Sequence, residues 1–228
     1  MTDTVVVIAA HPDDEVLGCG GTIARYARLG AKVHILLLAD GESSRLQTGG
    51  NGSSLIAARK SAAEAAANIL GAASVRMLSF SDNRMDRFEL LEIIRPVEEF
   101  LIEHKPSTVL THHGGDLNID HRIVHQAVVT ACRPLPNYFV QELLFFEVPS
   151  STEWVPPGSG MHFQPNCYFN IVETFDQKVA ALLEYEQELR GFPHPRSIKA
   201  IESLAIWRGA TAGMEMAEAF YLGRQINV

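Results

Sequence analysis

A chain of 228 residues, 46% hydrophobic and 20% charged, is long enough for one substantial core, and one domain over residues 1–228 is expected. A formal net charge of −8 without any lysine or arginine block argues against a dedicated nucleic-acid binder, because phosphates are repelled overall. Cys19, Cys132 and Cys167 follow no metal-like spacing, and the sequence shows neither an apolar run of membrane-spanning length nor a secretory leader; a cytoplasmic protein without disulfides or membrane insertion is expected.

Short β-branched runs alternate with longer alanine- and leucine-rich stretches, the pattern of βα units. The expected fold is α/β, a Rossmann-like, mostly parallel sheet flanked by helices. Residues 5–9 read as the first strand, and residues 17–29 as a helix closed by Gly30. "KVHILLL" (32–38) reads as a second, fully buried strand. A helix over 54–70 stops at Gly71, and strands over 74–78 and 108–111 are separated by a helical stretch over 88–104. "QELLFFEV" (141–148) is another strand; residues 149–166, rich in Pro, Gly and Ser, read as loop. Helical stretches over 176–190 and 197–221 finish the chain.

Where the first strand ends, the chain reads His11-Pro12-Asp13-Asp14-Glu15. In open α/β sheets that carboxyl edge is where ligands bind. Carboxylates so close together raise one another's pKa, so a neighbouring positive charge is needed to hold them ionised, and a metal ion is the simplest source. Helix capping needs only one Asx and leaves His11 and a second aspartate unexplained. Adjacent side chains point in different directions, which gives Asp13 and Asp14 different tasks. A mononuclear hydrolytic site needs about three protein ligands, an open position and a base. His11 and Asp14 supply two ligands, and the third is expected at the end of another strand. The segment "THHGGDLNIDHRIVH" (111–125) offers His112, His113, Asp116, Asn118, Asp120, His121 and His125. Position alone does not choose among these histidines; His34, His104 and His162 read as structural or surface residues.

"AHPDDE" before a glycine-rich turn, a strand leading to Asp40-Gly41-Glu42, and Asp120-His121 before a helix resemble the PIG-L/LmbE-like family of zinc-dependent N-deacetylases. The resemblance extends to the helix with Arg59, the "SDNRM" loop with Asp82, "FEVPSSTEW" and a C-terminal "RG…AEAF". It implies that His11, Asp14 and His121 hold Zn2+, that Asp13 is the general base, and that Arg59 and Asp82 contact the substrate. The substrate implied is an N-acetylated amino sugar, released as acetate and free amine. Two histidines and one carboxylate also suit Fe2+.

One departure matters. Many relatives carry His-Pro-Asp-His where this chain has Asn118-Ile119-Asp120-His121. Asn118 can donate to an oxyanion but cannot act as a charged acid. Asp120 is then expected to orient a neighbour, with His125 as a substitute proton donor. Residues 150–154 are expected to close over the sugar ring, unless Trp154 is a core aromatic. His194, Arg196 and Ser197 suggest a small anion site at a helix start. The competing readings are an amidase of the same family acting on a larger acyl amide or thiol conjugate, and a non-catalytic sugar- or nucleotide-binding domain using Gly18-Cys19-Gly20-Gly21 as a phosphate loop. A homo-oligomer is compatible with all of these.

Overall fold

In the computed structural model, residues 3–41, 52–135 and 139–227 are described, with residues 52 and 53 by backbone alone; Glu42 lies outside the described residues. Strand β1 (Thr4–Ala9) is buried along nearly its whole length, so its alternating side chains serve two cores. Val5, Val7 and Ala9 pack on one face of the sheet, and Val6, Ile8 and Ala10 on the other. Burial on both faces is why these strands read as continuous apolar runs.

Strands β1, β2 (Lys32–Ala39), β3 (Ser74–Phe80), β4 (Thr108–His112) and β5 (Glu142–Phe146) are parallel. Strand β7 (Ala217–Gln225) runs antiparallel to β5, and β6 (Cys167–Asn170) antiparallel to β7. The sheet order is β3-β2-β1-β4-β5-β7-β6. Helices α1 (Asp14–Arg28), α2 (Gly52–Leu70), α5 (Phe175–Leu183) and α6 (Ile198–Thr211) contribute to the first core, and α3 (Leu90–His104) and α4 (Ile119–Ala131) to the second. The order therefore reverses between β1 and β4, which pair from Val5 with Thr108 to Ile8 with Thr111. A crevice opens at such a switch point because the two connections leave in opposite directions.

Three expectations are corrected. Helix α1 begins at Asp14 and not at residue 17, so Asp14 and Glu15 lie in its first turn, where the helix dipole favours acids. The stretch 176–190 is not one helix: α5 ends at Leu183 and a single 3-10 turn follows at Glu186–Glu188. The stretch 197–221 is also divided, with α6 ending at Thr211 and β7 beginning at Ala217. The Ala-, Met- and Glu-rich sequence favours helix locally, but insertion of β7 between β5 and β6 overrides that preference.

The glycine run of α1 is not a phosphate loop. Helical geometry breaks at Cys19 (φ −148°, ψ 23°), and the freed N–H groups of Gly21 and Thr22 donate to Glu218 on β7 at 2.9 and 2.7 Å. Lys178 Nζ donates to the same carboxylate at 2.5 Å and to Leu17 O at 2.8 Å. An internal anion thus occupies the position a phosphate would need. Gly18 lies against the Phe146 ring, where a Cβ would meet Cδ2 at 2.3 Å.

Candidate metal centre and active-site cavity

The chain leaves β1 through a tight turn. The N–H of Ala10 donates to His112 Nε2 at 2.8 Å, and His11 N–H donates to Asp14 Oδ2 at 2.9 Å. Asp13 takes φ 115°, ψ −29°, a left-handed value costly for a residue with a Cβ, which persists where its surroundings over-determine it. Its N–H donates to Glu15 Oε2 at 3.0 Å.

The second contribution comes from the neighbouring strand. Beyond β4, Asn118 caps α4 by accepting the Asp120 N–H at 2.8 Å. The helix start turns Asp120 and His121 back toward β1. His11 Nδ1 and His121 Nε2 stand 3.0 and 3.1 Å from Asp14 Oδ2 and 3.3 Å from each other. Ligand atoms held about 2.0–2.1 Å from a tetrahedral ion are about 3.3–3.4 Å apart, so this triangle fits one divalent cation with little adjustment. Asp14 Oδ1 is buried without a hydrogen-bond partner, and the two-imidazole, one-carboxylate donor set suits Zn2+ or Fe2+.

Each histidine is backed by carboxylates. His11 Nε2 lies 3.1 Å from both Asp120 Oδ2 and Asp82 Oδ1, and Asp120 Oδ1 accepts the Met85 N–H at 3.0 Å. His121 Nδ1 lies 3.1 Å from Asp116 Oδ1. Such backing fixes the tautomer and orientation of a ligand ring. Asp116 also accepts the hydroxyls of Ser151 and Thr152 and the N–H of Asn118. Burial alone would raise its pKa, but His121 and these donors hold it down at about 2. Burial would likewise strip the proton from His121, yet Asp14 and Asp116 push it up to about 9. The cluster therefore draws positive charge to its centre.

The other histidines of this segment have other partners. His112 uses Nε2 to accept the Ala10 N–H and stacks on His121, with ring centroids 4.0 Å apart. His113 Nε2 lies 3.1 Å from Met161 O. His125 donates from Nδ1 to His112 O at 2.8 Å and packs edge-on against Phe145; it does not line the cavity and is removed as a substitute proton donor.

In front of the cluster is a small cavity of about 70 Å³, lined by His11, Asp13, Arg59, Asp82, Asn118 and Arg196 among others. Arg59 is buried and bonds Glu188 at 2.5 Å. Arg196 donates to Asp13 Oδ2 at 2.8 Å, to Glu188 Oε2 at 3.4 Å and to Ser150 Oγ at 2.7 Å. Burial, partly offset by Arg196, pushes the Asp13 pKa up to about 6. Glu15, also buried, rises to about 8 despite the Tyr185 hydroxyl donating to it at 2.7 Å. A larger surface cleft of 630 Å³ lies beside Arg25, Arg28 and Glu215, away from this chemistry.

The anion site expected at "FPHPRS" is not built. His194 Nδ1 accepts the Arg196 N–H, Ser197 Oγ caps α6 by accepting the Ala200 N–H, and the Arg196 guanidinium is engaged by carboxylates. Nor is Trp154 a core residue: it is half exposed, its ring centroid 6.0 Å from that of His194. No local signal marks Glu188, which sits inside a stretch with helical character, and in the sequence Asp116 is one ligand-type residue among several.

Comparison with known proteins places the chain in a family. The family profile described as GlcNAc-PI de-N-acetylase (PIG-L) matches residues 6–132. The chain is similar to the uncharacterized deacetylase YaiS of Escherichia coli K12, 31% identical over 188 residues, 80% of this chain and 90% of that one. It is also similar to diacetylchitobiose deacetylase of Thermococcus kodakarensis, 26% identical over 221 residues, 94% of this chain and 80% of that one. Among solved structures, the 4-carboxy-2-hydroxymuconate hydratase GalB of Pseudomonas putida KT2440 superposes with a TM-score of 0.80 at 23% identity, covering 100% of this chain and 98% of that one. That likeness speaks to the fold alone. With the profile covering more than half of its length, the chain belongs to the GlcNAc-PI de-N-acetylase (PIG-L) family.

Proposed function

We propose that this protein is a metal-dependent hydrolase, one domain over residues 1–228, that removes the N-acetyl group from an amino-sugar compound in the cytoplasm. The observation that carries the reading is the triangle of His11 Nδ1, Asp14 Oδ2 and His121 Nε2 beside a cavity that His11 and Asp13 line. The named sugar deacetylase among its relatives supports the substrate class.

His11, Asp14 and His121 would hold Zn2+, with Fe2+ the other ion that suits them. A divalent ion there supplies Lewis acidity toward water and the acyl carbonyl. Asp13 takes the proton of the attacking water and returns it to the leaving amine, a role that general acid–base groups fill with gains of about 10²–10⁴ in rate. Asn118 Nδ2 donates to the developing oxyanion. Asp120 holds the His11 ring, and Arg59 and Asp82 meet the sugar hydroxyls.

The test combines metal analysis with assay of released acid. Zinc-loaded protein should release acetate from some of a panel of N-acetylglucosamine, diacetylchitobiose, N-acetylglucosaminides and sugar nucleotides, and His121→Ala should lose both metal and activity. Release of longer acids alone would favour the amidase reading. Full metal content in His121→Ala, or no amide hydrolysis by fully loaded protein, would overturn the proposal.

A further inference from the structure

We propose that Arg196 is a positioning residue, holding the Asp13 carboxylate in the orientation its reaction requires. This rests on the deacetylase reading for the role of Asp13, but the contact itself does not. Two independent features of the structure lead to it.

The first is the geometry at Asp13. The residue has a left-handed backbone (φ 115°), so its side chain leaves the chain in a direction that ordinary rotamer preference does not secure. Its Oδ2 is gripped by Arg196 Nη1 at 2.8 Å. An arginine grips better than a lysine here because the guanidinium is a rigid plane of donors that one carboxylate cannot swivel. The same Nη1 also lies 3.4 Å from Glu188 Oε2, and the opposite side of the plane is held by Nε donating to Ser150 Oγ at 2.7 Å. The Arg196 backbone is tied by its N–H to His194 Nδ1 at 3.1 Å. These donors are spent on protein acceptors at the cavity wall, which fits a brace.

The second is where the brace leads. Ser150 is itself left-handed (φ 70°), and the next two residues, Ser151 and Thr152, donate their hydroxyls to Asp116. Asp116 lies 3.1 Å from His121 Nδ1. One short segment therefore connects the partner of the Asp13 carboxylate to the carboxylate behind a metal-ligand histidine. The two are thereby tied to one another through residues 150–152, the kind of registration on which a near-attack geometry depends.

A double-mutant cycle tests this. Arg196→Ala should keep its metal and its KM within about twofold, while kcat falls about 10–100-fold, the range found when partners supporting site residues are removed. Arg196→Lys should recover part of that loss. In an Asp13→Asn background, assayed at high enzyme concentration, Arg196→Ala should cost less than threefold, because the group it positions is already disabled. A raised KM at unchanged kcat would overturn the proposal, by making Arg196 a substrate ligand. Equal losses in both backgrounds would also overturn it, by making the residue structural. The same four proteins are unfolded in urea, a readout that needs no substrate. Strong non-additivity of the midpoints upholds the Asp13–Arg196 pairing even if no acetate is released, an outcome that would count against the deacetylase reading alone. Additive midpoints would overturn the pairing.

Discussion

The Oδ1 of Asn118 accepts the Asp120 N–H at 2.8 Å, while its Nδ2 donates to Asn83 Oδ1 at 3.0 Å. The residue is thus the N-cap of α4 and a member of the cavity wall at once, and two substitutions separate these parts. Asp is as good an N-cap as Asn, whereas Ala loses about 1 kcal/mol of helix stability. Asn118→Asp should therefore melt like the parent, yet place a negative charge against a developing oxyanion and lower kcat by about 10²–10³ with little change in KM. Asn118→Ala should lose both stability and kcat, the latter less severely. Normal kcat in Asn118→Asp would reduce the residue to its capping role. At this scale the sequence was informative about residue types and poor at choosing between like ones. Nothing in "THHGGDLNIDHRIVH" says that His112 spends Nε2 on the Ala10 N–H or that His113 turns toward Met161, because both facts depend on where distant segments lie.

Helix α1 and strand β7 are coupled through the buried Glu218, whose two oxygens receive the Gly21 and Thr22 N–H groups and the Lys178 ammonium. The helix break at Cys19 leaves N–H groups without an intrahelical acceptor, and burial forbids water from serving them. Glu218→Ala should strand those donors together with a buried lysine charge. The expected loss is about 3–5 kcal/mol, as for breaking a buried pair from one side. Replacing both partners, as in Lys178→Met with Glu218→Ala, should cost less than Glu218→Ala alone, because the unpaired charge is gone; urea unfolding midpoints measure both. The glycines Gly18 and Gly21 then have a packing reason, since an added Cβ would strike Phe146 or Ile171. A sequence pattern shared with phosphate loops is here a helix bent to admit a strand and its carboxylate.

Over the whole molecule, the reversal of strand order between β1 and β4 sets His11–Asp14 beside the α4 start, a placement that follows from connections running opposite ways from adjacent strands. Among the described residues, no such cluster of ligand-type side chains lies at the far end of the sheet. There, His34 and His104 stack with ring centroids 3.8 Å apart. Burial lowers the pKa of both rings; Glu103 pulls each back up, while His104 and Lys32 lower that of His34 further and Arg76 that of His104. The folded state therefore resists protons that the unfolded chain accepts below pH about 6.5, so this pair's contribution to stability is complete above that pH and declines as the pH falls. The melting temperature of His104→Gln should fall less steeply than that of the parent between pH 7 and pH 5.5. Identical slopes would remove the pair from the acid response.

The sequence by itself determined the parallel core strands, the helices between them, and the meeting of apolar run and acids at His11 to Glu15, because these follow from local periodicity and from the unusual cost of adjacent carboxylates. It did not determine β6 and β7, whose pairing overrode a helix-favouring composition. Nor did it determine which carboxylates stand behind His11 and His121, or that Arg196 is directed at Asp13 from 183 residues away. Those contacts join segments remote in the chain, and only the closing of the sheet at its switch point brings them within hydrogen-bonding distance.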